Sequence, residues 1–298
     1  MKRLLNILIL LISFVGLKAQ QLPLYTQYMF NPLIYNPAVA GTNNYYQMRM
    51  NGRLQWVGFN GAPTTYCLSV YGPQGSKKFD MGYGGYIVSD VTGPQSTLSF
   101  MGAYGYNFAL NPEIRMSMGL ALGMLQEKID GTQTLMYDPN DKTFNPSMIY
   151  TSYAPNGDAG VYVYSSNFNV GLAATQLFNN KVKLTGENAL NQLRTHFNLT
   201  GSYKYFIDRD FAIEPSVLIQ AVNPAPVQMD LTARVIYKTI VWFGLCYRTG
   251  DAVSVMVGYN YNNKYYIGYS YDIGISNIAK YQEGSHEIMI SYRFNPIK

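Results

Sequence analysis

Few residues in this chain are of the types that do chemistry, and their spacing assembles none of the common reactive groups. There are two histidines, His196 and His286, and two cysteines, Cys67 and Cys246. A structural metal needs about four ligands at short spacing, whereas these thiols stand about 180 residues apart. No metal is expected, and two free thiols are the leading expectation. No G-x-S-x-G, H-E-x-x-H or phosphate-binding glycine loop occurs. Gly82-Tyr83-Gly84-Gly85 is not a dinucleotide fingerprint, because it lies in a strand pattern with no helix behind it. Asp138, Asn140 and Asp141 could touch a calcium ion, but they lack the glycine and closing glutamate of an EF-hand loop. Both histidines are read as ordinary polar residues rather than general bases. The expectation is therefore no catalytic residue, no cofactor, no metal and no enzyme.

The basic residues are better organised. Arg49, Arg53, Arg115, Arg234 and Lys238 all share a side with polar neighbours in segments that alternate with period two. The simpler reading is a polar interior with Glu127 and Asp230 as counter-charges; the functional one is attraction of anions.

The elements that must position these residues are strands. Tyr46, Met48, Met50 and Leu54 have one parity and Gln47, Arg49, Asn51 and Arg53 the other. Since strand side chains point alternately to opposite faces, one face is apolar and the other polar. The pattern recurs at 113–125 and in the last segment, 284–294. Fourteen such segments are expected, from 44–56 to 284–294, including 158–164 and 227–238. Charged residues make up 13% of the chain and tyrosines number 28. A soluble domain carries about 25% charge, whereas a lipid-facing wall excludes charge and places tyrosine at the membrane interfaces. The fold expected is all-β: a transmembrane antiparallel β-barrel of about 14 strands, covering 44–298.

If both termini are periplasmic, the connections alternate between outer loops and inner turns. The two longest, 126–157 and 177–194, then fall in the outer set, as bacterial outer-membrane barrels require. Asn111-Pro112 and Asn262-Asn263 are good inner turns. Gly82, Gly84, Gly85, Gly102 and Gly105 are expected to ease bends in the wall. Residues 20–43 do not alternate. Asn31-Pro32 and Asn36-Pro37 suggest successive turns in a compact segment, either a plug in the barrel mouth or a periplasmic lead-in.

The first 19 residues read as a secretory signal peptide. Lys2 and Arg3 precede an apolar run from Leu4 to Leu17, and Ala19 offers the cleavage site. That run is shorter than the roughly 20 residues that cross a bilayer as a helix. Its removal with Lys18 leaves 19 basic against 17 acidic residues, a charge of +2 rather than +5. No basic cluster remains to suggest nucleic acid as a partner.

Three stretches resemble a known family. Gln21 to Gly41 (QLPLYTQYMFNPLIYNPAVAG), Ala225 to Arg248 and Gly284 to Phe294 (GSHEIMISYRF) are similar to the PorP/SprF family of outer-membrane proteins of the type IX secretion and gliding system. The motif residues of the N-terminal segment are Tyr28, Met29, Phe30, Asn31, Pro32, Asn36, Pro37 and Gly41. The resemblance implies an accessory barrel in the outer membrane, surrounded by its lipid. It would bind and help secrete or anchor a large adhesin-like surface protein, recognised through that partner's C-terminal domain, and would contact other type IX secretion components. In the loop 126–157, Phe144, Met148, Tyr150 and Tyr153 are the candidates for burial against such a partner. Asn36-Pro37-Ala38 is also similar to barrels of the fatty-acid-transporter type, which have fourteen strands and an N-terminal plug. That similarity motivates the alternative of a transport channel for a small hydrophobic ligand.

Overall fold

A computed structural model describes residues 22–74, 80–134, 145–185 and 189–295. Within them, the alternating segments all form strands. These are β1 (Tyr46–Leu54), β2 (Thr64–Pro73), β3 (Met81–Thr92), β4 (Gln95–Ala109), β5 (Arg115–Asp130), β6 (Ile149–Tyr164) and β7 (Phe168–Thr175). A separate hairpin, β8 (Lys181–Thr185) and β9 (Ala189–Gln192), follows. The wall resumes with β10 (His196–Tyr203), β11 (Tyr205–Phe206), β12 (Phe211–Val222), β13 (Gln228–Tyr237), β14 (Val241–Arg248), β15 (Ala252–Tyr261), β16 (Tyr265–Gly274) and β17 (Ser285–Phe294).

Each wall strand runs antiparallel to the next, and β17 returns to pair with β1, Arg53 opposite Glu287 and Tyr46 opposite Phe294. β10 and β11 are one wall strand interrupted at Lys204, so fourteen strands close the barrel. Closure leaves no free edge around the ring, which is what a sheet immersed in lipid needs.

The two faces separate as the alternation demands. β15 alternates buried and exposed along its whole length. Met50, Leu120, Leu122 and Ile267 stand outward and exposed, while Gln47, Arg49, Asn51 and Arg53 are buried inside. Apolar outside and polar inside is the inverse of a soluble protein.

Two hairpins turn through paired left-handed residues, Lys238-Thr239 (φ 51 and 58) and Asn262-Asn263 (φ 54 and 55). That is the two-residue turn whose twist matches the strands. Asn-Asn advertises it; Lys-Thr does not. Lys238 consequently leaves the strand's parity and pairs with Asp210 at 3.6 Å on the rim rather than facing the lumen.

The largest departure from expectation is at the end carrying the long connections. β5 and β6 continue as a paired ribbon to Asp130 opposite Ile149, so much of the loop expected at 126–157 is strand. Pro155, Asn156 and Gly157 disguise the first part of β6 in the sequence, and β5 supplies their partners through Met124, Gly123 and Leu122. The expected loop 177–194 likewise contains the β8–β9 hairpin.

Candidate functional site

Residues 25–41 lie inside the barrel, packed against the inner faces of its strands. Residues 28–30, 32–34 and 37–39 each make one 3₁₀ turn. Pro32 and Pro37 open two of them with a fixed φ, and Asn36 caps the last by accepting from the Ala38 amide at 2.9 Å. Short turns with proline at their starts keep the segment compact enough to fit inside a ring of strands. Tyr25, Tyr28, Leu33, Tyr35, Ala38, Val39 and Ala40 are all buried there.

Glycines on successive strands make the room. A Cβ on Gly82 of β3, Gly119 of β5 or Gly160 of β6 would collide with Gly41, Ala38 or Asn36 respectively. Gly41 itself has φ +79, and a Cβ there would lie 2.6 Å from the Gly82 Cα. Gly82 and Gly105 thus serve close approach of the segment, a use that curvature of the wall alone does not predict.

A network of buried charge pins the segment near the long-loop end. Arg53 meets Asp272 at 2.6 Å and Glu287 at 3.5 Å; Arg248 meets Asp230 at 3.0 Å, Asp251 at 3.5 Å and Asp272 at 3.7 Å. Thr26 and Gln27 enter this network directly. The Thr26 amide donates to Glu287 at 2.7 Å and its hydroxyl donates to Asp272 at 2.8 Å, while Arg53 donates to that hydroxyl at 3.0 Å. The Gln27 amide donates to the other Glu287 oxygen at 3.2 Å. Strand register builds the pairs, because Arg53 faces Glu287 across β1–β17 and Arg248 faces Asp230 across β13–β14. Arg248 has inward parity too, but it ends its strand, and only the register opposite Asp230 marks it as a lumen residue. Breaking a buried ion pair by removing one partner costs about 3–5 kcal/mol.

Lower in the lumen, Arg234 pairs with Glu214 at 2.8 Å, and its guanidinium lies 4.4 Å from the centre of the Phe30 ring. Tyr28 donates to Ser216 at 3.1 Å, and Asn36 donates to the Val161 carbonyl at 3.0 Å. Burial pushes the Tyr25 and Tyr35 hydroxyls well above the ordinary tyrosine value, so both stay neutral. Cys67 and Cys246 are free, buried thiols; Cys67 packs beside Tyr25, Tyr28 and Tyr35, and Cys246 beside Phe30.

Two cavities border the segment among the described residues. One, of about 300 Å³, lies at the long-loop end between Tyr25, Tyr35, Tyr86, Asp90, Glu127 and Asp158. The other, of about 430 Å³, lies at the opposite end, where the chain enters β1 and leaves β17.

The type IX secretion system membrane protein family PorP/SprF matches residues 17–292. The chain belongs to this family. No curated protein matches the sequence significantly. Among solved structures, the CymD monoaromatic hydrocarbon channel is similar at 13% identity with a TM-score of 0.52, over 91% of this chain and 92% of that one. The TodX deltaS2S3 mutant monoaromatic hydrocarbon channel is similar at 9% identity with a TM-score of 0.51, over 89% and 94%. At such identity the likeness concerns the outer-membrane barrel fold.

In this PorP/SprF barrel the family's N-terminal motif is the lumen segment just described. Tyr28, Phe30, Asn31, Asn36, Pro37 and Gly41 are buried, with Met29 and Pro32 partly so. The signal peptide 1–19 and Phe144, with the stretch holding Asp138 to Asp141, lie outside the described residues. Met148 immediately precedes the β6 ribbon and is exposed, as is Tyr153 on it. Tyr150 has the opposite parity to Tyr153 and is half-buried, its hydroxyl accepting from the Asn145 amide at 2.8 Å. Tyr150 and Tyr153 are therefore strand residues on two faces of a ribbon, not one loop patch. His196 is buried at the upper cavity, its Nδ1 at 2.8 Å from the Arg194 carbonyl, and His286 sits outside beside Tyr269 and Tyr271.

Proposed function

We propose that this barrel is a non-catalytic accessory component of a type IX secretion system that holds a large secreted surface protein at its long-loop end. The observation that supports this reading most is the pinned lumen. Residues 25–41 are buried inside the barrel and are tied by Thr26 and Gln27 into paired buried charge, so the centre is ill suited to pass cargo. What remains for an adhesin-like partner, recognised through its C-terminal domain, is the surface at the barrel's end. The β5–β6 ribbon and the β8–β9 hairpin project from the long-loop end, which faces the cell exterior in this reading. The entry to β1 and the end of β17 then face the periplasm and the other secretion components.

The test replaces 132–147 by a tight turn joining Asp130 to Ile149, which preserves the ribbon's last pair. Expected are a folded barrel and loss of the partner from the cell surface, with the partner identified by gentle-detergent co-purification with the unaltered barrel. Normal surface display after the exchange counts decisively against this role.

A second reading draws on the upper cavity, where Ile34, Val88 and Leu125 join the tyrosines to make a partly apolar site. It is a transport channel for a small hydrophobic ligand, with the N-terminal segment as its hatch. It predicts uptake of such a compound by cells carrying the barrel. No difference in uptake from cells lacking it rules that reading out.

A further inference from the structure

The geometry points to an oxyanion-binding site in the lower cavity, built around Arg49 and Arg293. It stands independently of the secretion reading. Other lumen arginines have carboxylates: Arg53 has Asp272 and Glu287, Arg234 has Glu214, and Arg248 has Asp230. Arg49 is 7% exposed and has no carboxylate partner among the described residues. Its Nε and one Nη donate to Gln47 Oε1 at 3.1 and 2.6 Å, and its other Nη is buried without a partner. Arg293 also has no carboxylate partner among the described residues; its guanidinium is held between the Tyr45 and Tyr266 rings at 4.6 and 4.2 Å.

These two cations are neighbours by construction. Arg293 faces Gln47 across β1–β17 and Ser291 faces Arg49, so the arginines occupy a diagonal pair on one side of the sheet. Like charges there repel unless something negative lies between them. Tyr71, buried at 1% exposure, also lines the cavity, and its hydroxyl has no hydrogen-bond partner among the described residues. Arg115 completes the rim, at 3.6 Å from Asp80, and Glu113 is the one carboxylate lining the cavity. An unpaired buried guanidinium is costly, and its fork of donors matches the oxygens of a carboxylate or phosphate. The volume of about 430 Å³ admits such a group with a small body attached.

The ligand class is a small oxyanion entering from the end where β1 begins. The experiment is calorimetric titration of the full-length purified barrel in neutral, phosphate-free detergent. Inorganic phosphate and succinate are titrated in separate arms at constant chloride. Saturable one-site binding of at least one of them is expected. Arg49→Gln should weaken it by roughly tenfold or more, as loss of a charged hydrogen bond implies, while Lys128→Gln on β5 near the opposite end should leave it unchanged. Heat-modifiable gel mobility reports that each variant is folded. Should Arg49→Gln not fold, Arg293→Lys carries the test, since it keeps the charge and loses both fork and ring contacts; weaker binding is expected. No saturation with either anion, or unaltered binding in the folded variant, overturns the site.

Discussion

The two ends of the lumen hold the same kinds of side chain in opposite states. At the long-loop end Arg53 and Arg248 lie among Asp230, Asp272 and Glu287, and Thr26 and Gln27 hydrogen-bond into the same cluster. At the other end Arg49 and Arg293 face a cavity with no carboxylate paired to either among the described residues. The difference teaches that inward parity says only that an arginine is inside. Whether it braces the molecule or is left able to take a ligand depends on which residue the neighbouring strands place opposite it. Glu287 faces Arg53 and Asp230 faces Arg248, whereas Ser291 faces Arg49.

The sharpest way to break this contrast is to remove one brace. Arg248→Leu leaves Asp230 and Asp272 short of a buried partner and should lower stability by about 3–5 kcal/mol, read as the urea midpoint for unfolding from liposomes. A loss below about 1 kcal/mol, the scale of an exposed pair, means the network does not brace the barrel.

A smaller effect is expected from crowding the segment without touching a charge. Gly119→Val puts side-chain atoms where the Ala38 backbone lies and should cost about 1–3 kcal/mol by overpacking. The displaced segment should also expose Cys67, which packs beside its tyrosines. Maleimide labelling of that thiol should then quicken by roughly fivefold or more. Unaltered labelling means the segment does not depend on the glycine-lined wall.

The smallest change belongs to the lower end. Arg49→Gln removes an unpaired buried charge, so in anion-free buffer stability should change by less than about 1 kcal/mol, or rise. A loss as large as that of Arg248→Leu would erase the distinction between the two ends.

Much of the wall was legible in the sequence because a strand's two faces meet different solvents. Gln47, Arg49, Asn51 and Arg53 against Met48, Met50 and Leu54 could sit no other way in lipid. Lys238 was misplaced because a Lys-Thr pair carries no sign of the left-handed turn it adopts. The ribbon from Asp130 to Ile149 was hidden because Pro155 to Gly157 carry loop composition, and strand pairing overrode it. Of the candidate partner residues, Met148 and Tyr153 are exposed, whereas Tyr150 turns to the other face of the ribbon, a parity that the expected loop did not carry.

By itself, then, the sequence determined an outer-membrane barrel, its strand count and the face of nearly every wall residue, because period-two alternation is a local property. The tertiary structure alone decided where residues 22–45 go, which glycines yield space to them, and which arginines find carboxylates. Those outcomes depend on register between strands far apart in the chain: Arg53 and Glu287 are separated by 234 positions yet face each other. No local pattern encodes such a meeting; it exists only once the barrel has closed.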